Sequence, residues 1–469
     1  MDNETINTDL LIIGAGPGGY VAAIYAAKKG LDVTLVDKTY VGGTCLNVGC
    51  IPTKALVKSA EVYTEAKNAA MYGVNVENAS IDMLKVIERK ASITKTLVDG
   101  IDFLLAKNNV KVIKGTATFK NNQVVSVSTE SGSTLFEPKN VIIATGSKTK
   151  HLPIPGIKND FVIDSEQLLD NTKLPAKMTV IGGGIIGMEF AFIYGHFGVK
   201  VDVLEFLPSI LPTIDKDLSQ RLIRFAKQNN VTITTNAQVT KIDKTEEGIA
   251  KVTYIHKDET KTIEANLVLE AVGRIPCTDG LGLENTAIES GKTGNILVDK
   301  SMRTSLKNIY AIGDVTNIMQ LAHVASHQAF VAVDNILNNK SEMDYDFVPS
   351  VIFTVPQIAT VGKSEIELTK SGMEYTVSKV PFSANGKAMI MDYQQGFIKL
   401  IQNAVTKELI GAAVFGGDAE HLIAPLTLAM KNKLSYKDIK ETIFAHPTIS
   451  ELVHEAFLGL NKEAIHYLD

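Results

Sequence analysis

The sequence predicts an α/β protein in which two similar strand–helix–strand units are followed by a third α/β unit. Three observations lead to this class. The chain has 469 residues, enough for about three domains at roughly 150 residues each. A glycine-rich turn between an apolar strand and a helix occurs twice. Strand-like and helix-like segments then alternate to the C terminus, without a low-complexity segment or a long linker.

The composition is typical of a globular enzyme and excludes several other classes. It is 45% hydrophobic and 21% charged, and the formal net charge of -5 provides no basic field for nucleic acid. The first ten residues, MDNETINTDL, lack the features of a signal or transit peptide, and no apolar run is long enough to span a membrane. We therefore expect a cytoplasmic protein with no nucleic acid or membrane partner.

The first unit has the pattern of a Rossmann-like nucleotide-binding fold. The apolar strand Leu10–Ile13 precedes a turn with three spaced glycines, a helix-forming run over Tyr20–Lys29 follows, and a second strand ends at Asp37. The spaced glycines are Gly14, Gly16 and Gly19. They let the backbone approach a pyrophosphate at the helix N terminus, while the acid accepts hydrogen bonds from ribose hydroxyls.

The same pattern returns at a constant offset. Gly14, Gly16, Gly19 and Asp37 map onto Gly182, Gly184, Gly187 and Glu205. One such motif is weak evidence, but two copies with the same acid spacing predict two dinucleotide sites. No arginine follows Glu205, and its carboxylate would repel a 2′-phosphate. The second site is therefore expected to take NAD rather than NADP.

The three cysteines are Cys45, Cys50 and Cys277, and the first two stand five positions apart. In an extended strand their Cα atoms would be about 16 Å apart, beyond the roughly 4.4–6.8 Å of a disulfide. They can pair only in a coiled segment, and the helical pattern over residues 54–70 supports one. A thiol near a helix N terminus is the better nucleophile. The alternatives are a chance pair or a metal site, but no second Cys/His pair stands at ligand spacing. We expect no metal, and Cys277 is interpreted as a bystander.

The segment Gly43-Thr44-Cys45-Leu46-Asn47-Val48-Gly49-Cys50-Ile51-Pro52-Thr53-Lys54 resembles the redox-active disulfide motif of the pyridine nucleotide-disulfide oxidoreductases. The resemblance covers essentially the whole chain and implies FAD in the first site and NAD in the second. It further implies that Cys45 exchanges with the substrate, that Cys50 lies against the flavin, and that Lys54 lies near the flavin ring.

Other segments are similar to the family's cofactor contacts, which the resemblance places as follows. For FAD they are Gly14, Gly16, Gly19, Asp37, Thr44, Lys54, Gly115, Thr145, Gly146, Ser147, Asp314, Gln320, Leu321, Ala322 and His323. For NAD they are Gly182, Gly184, Gly187, Glu189, Glu205 and Gly273. The family more often has glutamate where this chain has Asp37, so that ribose contact is expected to be longer.

An acid–base partner is expected among nine histidines, because histidine titrates near neutrality. The segment Ala445-His446-Pro447-Thr448-Ile449-Ser450-Glu451 is similar to the family's C-terminal His-Glu signature. The resemblance implies that His446 is the base, that Glu451 orients it, and that a homodimer delivers the pair to the partner's disulfide. Ser450 or a nearby polar residue is expected to cap the following helix, 451–460.

The resulting plan has an FAD domain at residues 1–149 and 273–347, an NAD domain at 150–272 and an interface domain at 348–469. The interface domain is expected to contain strands at 351–355 and 357–361. The resemblance implies oxidation of dihydrolipoyl groups, carried by the acyltransferase of a 2-oxo acid dehydrogenase complex or by an H-type protein of glycine cleavage. The rivals are a glutathione-type or mercuric reductase of the same family and a flavin-bearing scaffold without catalysis. The intact cysteine pair and His-Glu pair argue against the scaffold.

Overall fold

The computed structural model of the chain describes residues 5–468. Residues 1–4 and 469 lie outside the described residues. The first four belong to the segment in which the sequence predicts no targeting peptide. Between residues 5 and 468, no helix combines the length and the apolar character that a membrane span requires.

The first part of the chain forms seven strands and four helices, with one 3-10 turn at Ala69–Tyr72. The strands are β1 (Thr5–Ile13), β2 (Val33–Asp37), β3 (Lys111–Lys114), β4 (Thr116–Phe119), β5 (Val125–Thr129), β6 (Gly132–Ile143) and β7 (Ser147–Thr149). The helices are α1 (Pro17–Lys28), α2 (Gly43–Val48), α3 (Cys50–Asn68) and α4 (Met83–Lys107).

The second part contributes nine strands and three helices. The strands are β8 (Val162–Ile163), β9 (Lys177–Ile181), β10 (Lys200–Leu204), β11 (Val231–Thr234), β12 (Gln238–Lys244), β13 (Ala250–His256), β14 (Glu259–Ala265), β15 (Leu267–Glu270) and β16 (Arg274–Pro276). The helices are α5 (Ser165–Leu168), α6 (Ile185–His196) and α7 (Lys216–Gln228).

The last part holds six strands, six helices and three 3-10 turns, the latter at Leu283–Asn285, Gly313–Thr316 and Phe382–Ala384. The strands are β17 (Ile309–Ala311), β18 (Ser350–Ile352), β19 (Gln357–Gly362), β20 (Tyr375–Pro381), β21 (Phe397–Asn403) and β22 (Leu409–Gly416). The helices are α8 (Ala322–Ile336), α9 (Glu365–Ser371), α10 (Gly386–Ile390), α11 (Ala419–Lys431), α12 (Tyr436–Lys440) and α13 (Glu451–Leu460).

Two sheets position the glycine turns; the second is parallel, and the first is parallel except for the antiparallel strands β5 and β4. The first has the order β3-β2-β1-β6-β5-β4, with β17 paired to β6, and the second has the order β11-β10-β9-β15-β8. The turns follow β1 and β9, whose neighbours on both sides run parallel to them. The chain crosses to opposite sides of each of these strands, so a crevice opens at their carboxyl ends, where open α/β sheets bind ligands. The α/β class with two Rossmann-like units is confirmed.

The strands before the turns are apolar because both faces of each sheet are covered. Leu10, Leu11 and Ile12 of β1 and Val180 of β9 have no exposed surface. The two chain segments that connect the first sheet to the second are β7 and β16, and they pair antiparallel. The chain therefore leaves the first unit and returns to it through one narrow connection.

The C-terminal unit is an antiparallel sheet of order β18-β19-β22-β21-β20, covered by α11 and α13. Its first strand is shorter than predicted and ends at Ile352 rather than at Val355. The reason is tertiary: the next backbone N–H, of Phe353, donates to Glu189 of α6 at 3.0 Å instead of continuing the sheet. This bond ties the C-terminal unit to the second nucleotide-binding unit.

Candidate active site

The cysteine pair lies at a break between two helices. Cys45 is in α2, Cys50 is the first residue of α3, and the two form a disulfide with their Cα atoms 4.7 Å apart. Gly49 lies at the break, and a Cβ there would come 2.9 Å from the carbonyl oxygen of Thr44. The predicted coiling of this segment is confirmed, although the helix begins four residues earlier than Lys54. Pro52 is compatible with that start because the first turn of a helix needs no N–H donor there.

The two sulfurs have different electrostatic surroundings. Cys50 stands at the N terminus of a 19-residue helix that has no side-chain cap. The partial positive charge of that end stabilises an anion, and therefore a thiolate at Cys50. Cys45 is the third residue of α2, whose six residues give a much smaller dipole. The bond between them is thus polarised by the fold toward a Cys50 leaving group.

Both glycine turns end in uncapped helix N termini that face open space. The N-cap residues of α1 and α6 are Gly16 and Gly184, and neither helix has a side-chain cap. A Cβ added at Gly184 would meet nothing within 4 Å, and at Gly16 only the Cα of Gly43 at 3.9 Å. The backbone amides of both first turns are therefore accessible to an anionic group, as a pyrophosphate requires.

The acid of each copy holds its own glycine turn in the same way. The Asp37 carboxylate accepts from the Ala15 N–H at 2.7 Å, and the Glu205 carboxylate accepts from the Gly183 N–H at 2.5 Å. Donor and acceptor are 22 residues apart in both cases, so the sequence duplication is also a duplication of contacts. Asp37 bridges its turn despite being one methylene shorter than glutamate.

A single cavity of about 1540 Å³ joins the two turns and the disulfide. Its lining includes nearly all of the predicted cofactor residues: Gly14, Gly16, Asp37, Thr44, Lys54, Gly115, Thr145, Gly146, Ser147, Asp314, Gln320, Leu321, Ala322, His323, Gly182, Gly184, Glu189, Glu205 and Gly273. Gly19 and Gly187 lie instead beneath the turns, where a Cβ would overlap the carbonyl oxygens of Gly14 and Gly182. The volume exceeds the ~300–1,000 Å³ of a typical small-molecule site and suits two dinucleotides.

An ion pair lies between the two predicted cofactor sites. The Lys54 ammonium is 2.9 Å from the Glu189 carboxylate and 4.4 Å from the centre of the Phe353 ring. Glu189 is only 4% exposed and also accepts from the Phe353 N–H. Lys54 belongs to the disulfide helix and Glu189 to the helix after the second turn. The pair therefore connects the disulfide to the second nucleotide site.

A second group of polar contacts, between Ser147, Asp314 and Arg274, was not predicted from the sequence. The Ser147 hydroxyl donates to Asp314 at 2.6 Å, and Arg274 donates to the hydroxyl and the carbonyl of Ser147, each at 2.8 Å. Burial raises the pKa of Asp314, against the opposing effects of Ser147 and Arg274. In the sequence, Arg274 stands directly after Gly273, one of the predicted NAD contacts. Its long side chain reaches Ser147 on the neighbouring strand only in the fold.

The His-Glu pair forms as predicted but lies away from the cavity. His446 Nδ1 is 3.0 Å from Glu451, which also accepts from the Thr448 N–H at 2.9 Å. Burial would raise the pKa of Glu451, but the bonds from Thr448 and His446 outweigh it and lower that pKa. The His446 side chain is 79% exposed. The predicted cap was wrong: Ser450 makes no side-chain cap bond, and the N–H groups of Leu452 and Val453 donate to the backbone carbonyls of Ile449 and Ser450 instead.

Comparisons with known proteins agree with this arrangement. The model of the pyridine nucleotide-disulphide oxidoreductase family matches residues 8–329, and the model of that family's dimerisation domain matches residues 348–457.

Similar proteins include the dihydrolipoyl dehydrogenases of Staphylococcus aureus, 43% identical, and of Bacillus subtilis, 42% identical, each match covering 96% of both chains. A solved structure, a Cu(II) complex of the HOCl-induced flavoprotein disulfide reductase RclA from Escherichia coli, is 31% identical with a TM-score of 0.87 over 97% of this chain and 99% of that one. The chain belongs to the pyridine nucleotide-disulphide oxidoreductase family.

Proposed function

We propose that the chain is a dihydrolipoyl dehydrogenase, which oxidises dihydrolipoyl groups and reduces NAD through the Cys45–Cys50 disulfide and FAD. The observation that carries the proposal is the position of this disulfide, at a helix N terminus in the cavity shared by two nucleotide-binding turns. The names of relatives that match nearly the full length of the chain support the substrate.

The first turn would hold FAD and the second NAD. The uncapped N terminus of α1 would receive the FAD pyrophosphate, with Asp37 at the adenosine ribose and Asp314 at the ribityl chain. The uncapped N terminus of α6 would receive the pyrophosphate of NAD, with Glu205 at its ribose. Bound FAD would supply the two-electron transfer between the thiols and nicotinamide.

Thiol–disulfide exchange begins at Cys45. One substrate thiolate attacks the Cys45 sulfur, the Cys45–Cys50 bond breaks, and Cys50 leaves as a thiolate stabilised by the dipole of α3. The second substrate thiolate attacks the substrate sulfur of the mixed disulfide and releases Cys45. The substrate leaves as a cyclic disulfide, and the enzyme holds the two electrons as a dithiol.

The proton acceptor in this scheme is His446 of a second copy of the chain. Its Nδ1 faces Glu451, so its Nε2 is the nitrogen that takes the substrate proton. The high exposure of His446, the matched dimerisation domain and several exposed apolar side chains of the C-terminal unit support a homodimer in which the pair completes the partner's site. These side chains are Met389, Ile390, Leu428 and Ile443.

Preference for NAD rests on Glu205. The residue is 8% exposed, and its carboxylate accepts from the N–H groups of Gly183 and Leu207, at 2.5 and 2.6 Å. A 2′-phosphate placed at this carboxylate would meet a fixed negative charge, and the next residue, Phe206, offers no cation. The lipoyl group would arrive on an acyltransferase or an H-type protein.

The experiment is a parallel assay of the purified protein. Dihydrolipoamide with NAD should give rapid NADH formation. NADPH with oxidised glutathione should show no oxidation of NADPH. The Cys45→Ser protein should bind FAD but lack the first activity, which ties turnover to the disulfide. Glutathione reduction by NADPH without dihydrolipoamide oxidation would contradict the proposal and favour the glutathione-type rival.

A further inference from the structure

A lysine with almost no exposed surface joins the C-terminal unit to the second nucleotide-binding unit. Lys399 lies on β21 and its side chain is 1% exposed. Its ammonium is 2.7 Å from Asp215, 3.0 Å from Asp217 and 2.7 Å from Glu365. Asp215 and Asp217 belong to the start of α7, whereas Glu365 begins α9. The ammonium occupies the centre of a carboxylate cluster that would otherwise resemble a cation site.

The cluster keeps its lysine charged. Burial opposes the charge of Lys399, but its carboxylate partners outweigh burial and raise its pKa. Lys379 adds a second cation at 2.7 Å from Asp217, from a position 42% exposed. Each carboxylate therefore has a positive partner.

Asp215 is the last residue of a segment that lines the cavity. The segment, residues 206–215, runs from the Glu205 carboxylate to the start of α7, and Phe206, Leu207 and Pro212 line the cavity. Near its middle, the Leu211 N–H donates to the carbonyl of Gly183 in the second glycine turn, at 3.0 Å. The Ile210 side chain also lies against Gly183 of the turn. At the end of the segment, the Asp215 carboxylate bonds the Lys399 ammonium and accepts from the Ile366 N–H at 3.3 Å.

The segment also contains a strained residue. Leu211 has a φ of +48°, a left-handed conformation that is unfavourable for a leucine. Such a conformation persists only where surrounding contacts impose it. Leu211 is held by the bond from its own N–H to Gly183 and by its burial in the core together with Ile210 and Ile214. The bond between Asp215 and Lys399 fixes the end of the segment.

Buried ion pairs are a poor source of net stability, because desolvation offsets most of their attraction, but their directional bonds select one geometry. We propose that Lys399 is a positioning residue of the NAD site, which holds the segment 206–215 against the second glycine turn. The inference rests on the proposed function, which assigns this turn to NAD. It adds that the C-terminal unit shapes the nucleotide site of its own chain.

The test uses Lys399→Met in the full-length holoprotein, because methionine is similarly long and unbranched but has no charge. The dissociation constant of NADH, measured by fluorescence, and the KM for NAD should rise about tenfold. FAD content and the rate at which dihydrolipoamide reduces the enzyme in the absence of NAD should stay within twofold. A residue that only stabilises the fold would lower the unfolding temperature without separating these two half-reactions.

The matched control is Lys379→Met, which removes the exposed cation of the same cluster and should leave the affinity for NADH within twofold. Should Lys399→Met fail to fold, Glu365→Gln removes one charge from a carboxylate that is 34% exposed. This variant should weaken NADH binding two- to threefold. Unchanged NADH binding in the folded variants, or equal losses in both half-reactions, would overturn the inference.

Binding and turnover separate the two proposals. A protein that shows no dihydrolipoamide oxidation but binds NADH with the expected loss in Lys399→Met would contradict the proposed function and keep the inference. Normal dihydrolipoamide oxidation by the wild-type protein, with unchanged NADH affinity in Lys399→Met, would support the proposed function and overturn the inference.

Discussion

Individual side chains make this site directional. Cys50 stands where the dipole of a 19-residue helix stabilises a thiolate, and Cys45 does not, so the two ends of one disulfide are chemically different. His446 is oriented by a carboxylate that is itself held by the Thr448 N–H. A fixed tautomer follows, with the proton on Nδ1 and Nε2 able to accept a proton.

The first prediction concerns His446→Gln. Loss of the base should lower kcat for dihydrolipoamide oxidation by about 10²–10⁴-fold, while FAD binding and the Cys45–Cys50 disulfide remain. Glu451→Gln should show a smaller loss, because the imidazole stays but its partner is no longer charged. Steady-state kinetics and the flavin absorbance measure both effects. His454→Gln, a change in the same helix region, is the control. Turnover of His446→Gln near that of the control would remove His446 from this role.

Each glycine turn depends on the glycine beneath it. Gly187 lies in the first turn of α6, where a Cβ would overlap the carbonyl oxygen of Gly182, and Gly19 has the same relation to Gly14. The helix can therefore approach the turn only without a side chain at this position. The third glycine of each motif sets the distance between helix and turn, which aims the helix N terminus at its ligand.

Gly187→Ala is accordingly expected to affect one nucleotide alone. The added Cβ forces α6 away from the turn, so the affinity for NADH should fall by about tenfold or more while FAD content stays normal. Titration with NADH and the ratio of flavin to protein measure the two effects. Gly100→Ala is the control, since a Cβ there meets nothing within 4 Å in the middle of α4. Equal losses of both cofactors in Gly187→Ala would contradict this assignment of the turns.

At the scale of the whole molecule, the three units meet around the disulfide helix. His196 at the end of α6 is buried, and its Nδ1 is 2.9 Å from the Thr64 hydroxyl on α3. Burial lowers the pKa of His196 to about 4, against an opposing effect of the Val355 backbone and with a further lowering by Lys67. The ring is therefore neutral in the folded protein at physiological pH.

Because the pKa of His196 is lower in the folded than in the unfolded chain, acid should destabilise the folded protein. The unfolded chain binds a proton at His196 below about pH 6.5, whereas the folded chain binds it only near pH 4. The free energy of unfolding should thus decrease by about 3 kcal/mol as the pH falls from 6.5 to 4. Thermal unfolding of His196→Asn, whose amide can still bond Thr64, should show a weaker acid dependence than wild type. The exposed His421→Asn should not differ from wild type, and an unchanged pH dependence in His196→Asn would contradict the prediction.

Short sequence motifs predicted much of the site. The duplicated turns, the acids 22 residues after their donors and the cysteine pair all depend on short segments whose geometry is set by neighbouring residues. The other residues predicted around the cavity, such as Gly115 and Asp314, were placed by the resemblance of short segments to the family's motifs. Glycine spacing and helix dipoles act over a few residues and leave a signature in sequence.

Contacts between units could not be found in the same way. Lys399 meets Asp215 across 184 residues, Lys54 meets Glu189 across 135, and Arg274 meets Ser147 across 127. The early end of β18 likewise follows from a distant carboxylate, Glu189, that accepts the Phe353 N–H. The sequence alone was sufficient for the two nucleotide turns, the coiled cysteine segment and the α/β class, because these depend on local backbone geometry. Its motifs indicated the chemistry through their resemblance to a known family. The packing of three units against one another decided which charged side chains pair, since that choice depends on distances in space that a linear pattern does not encode.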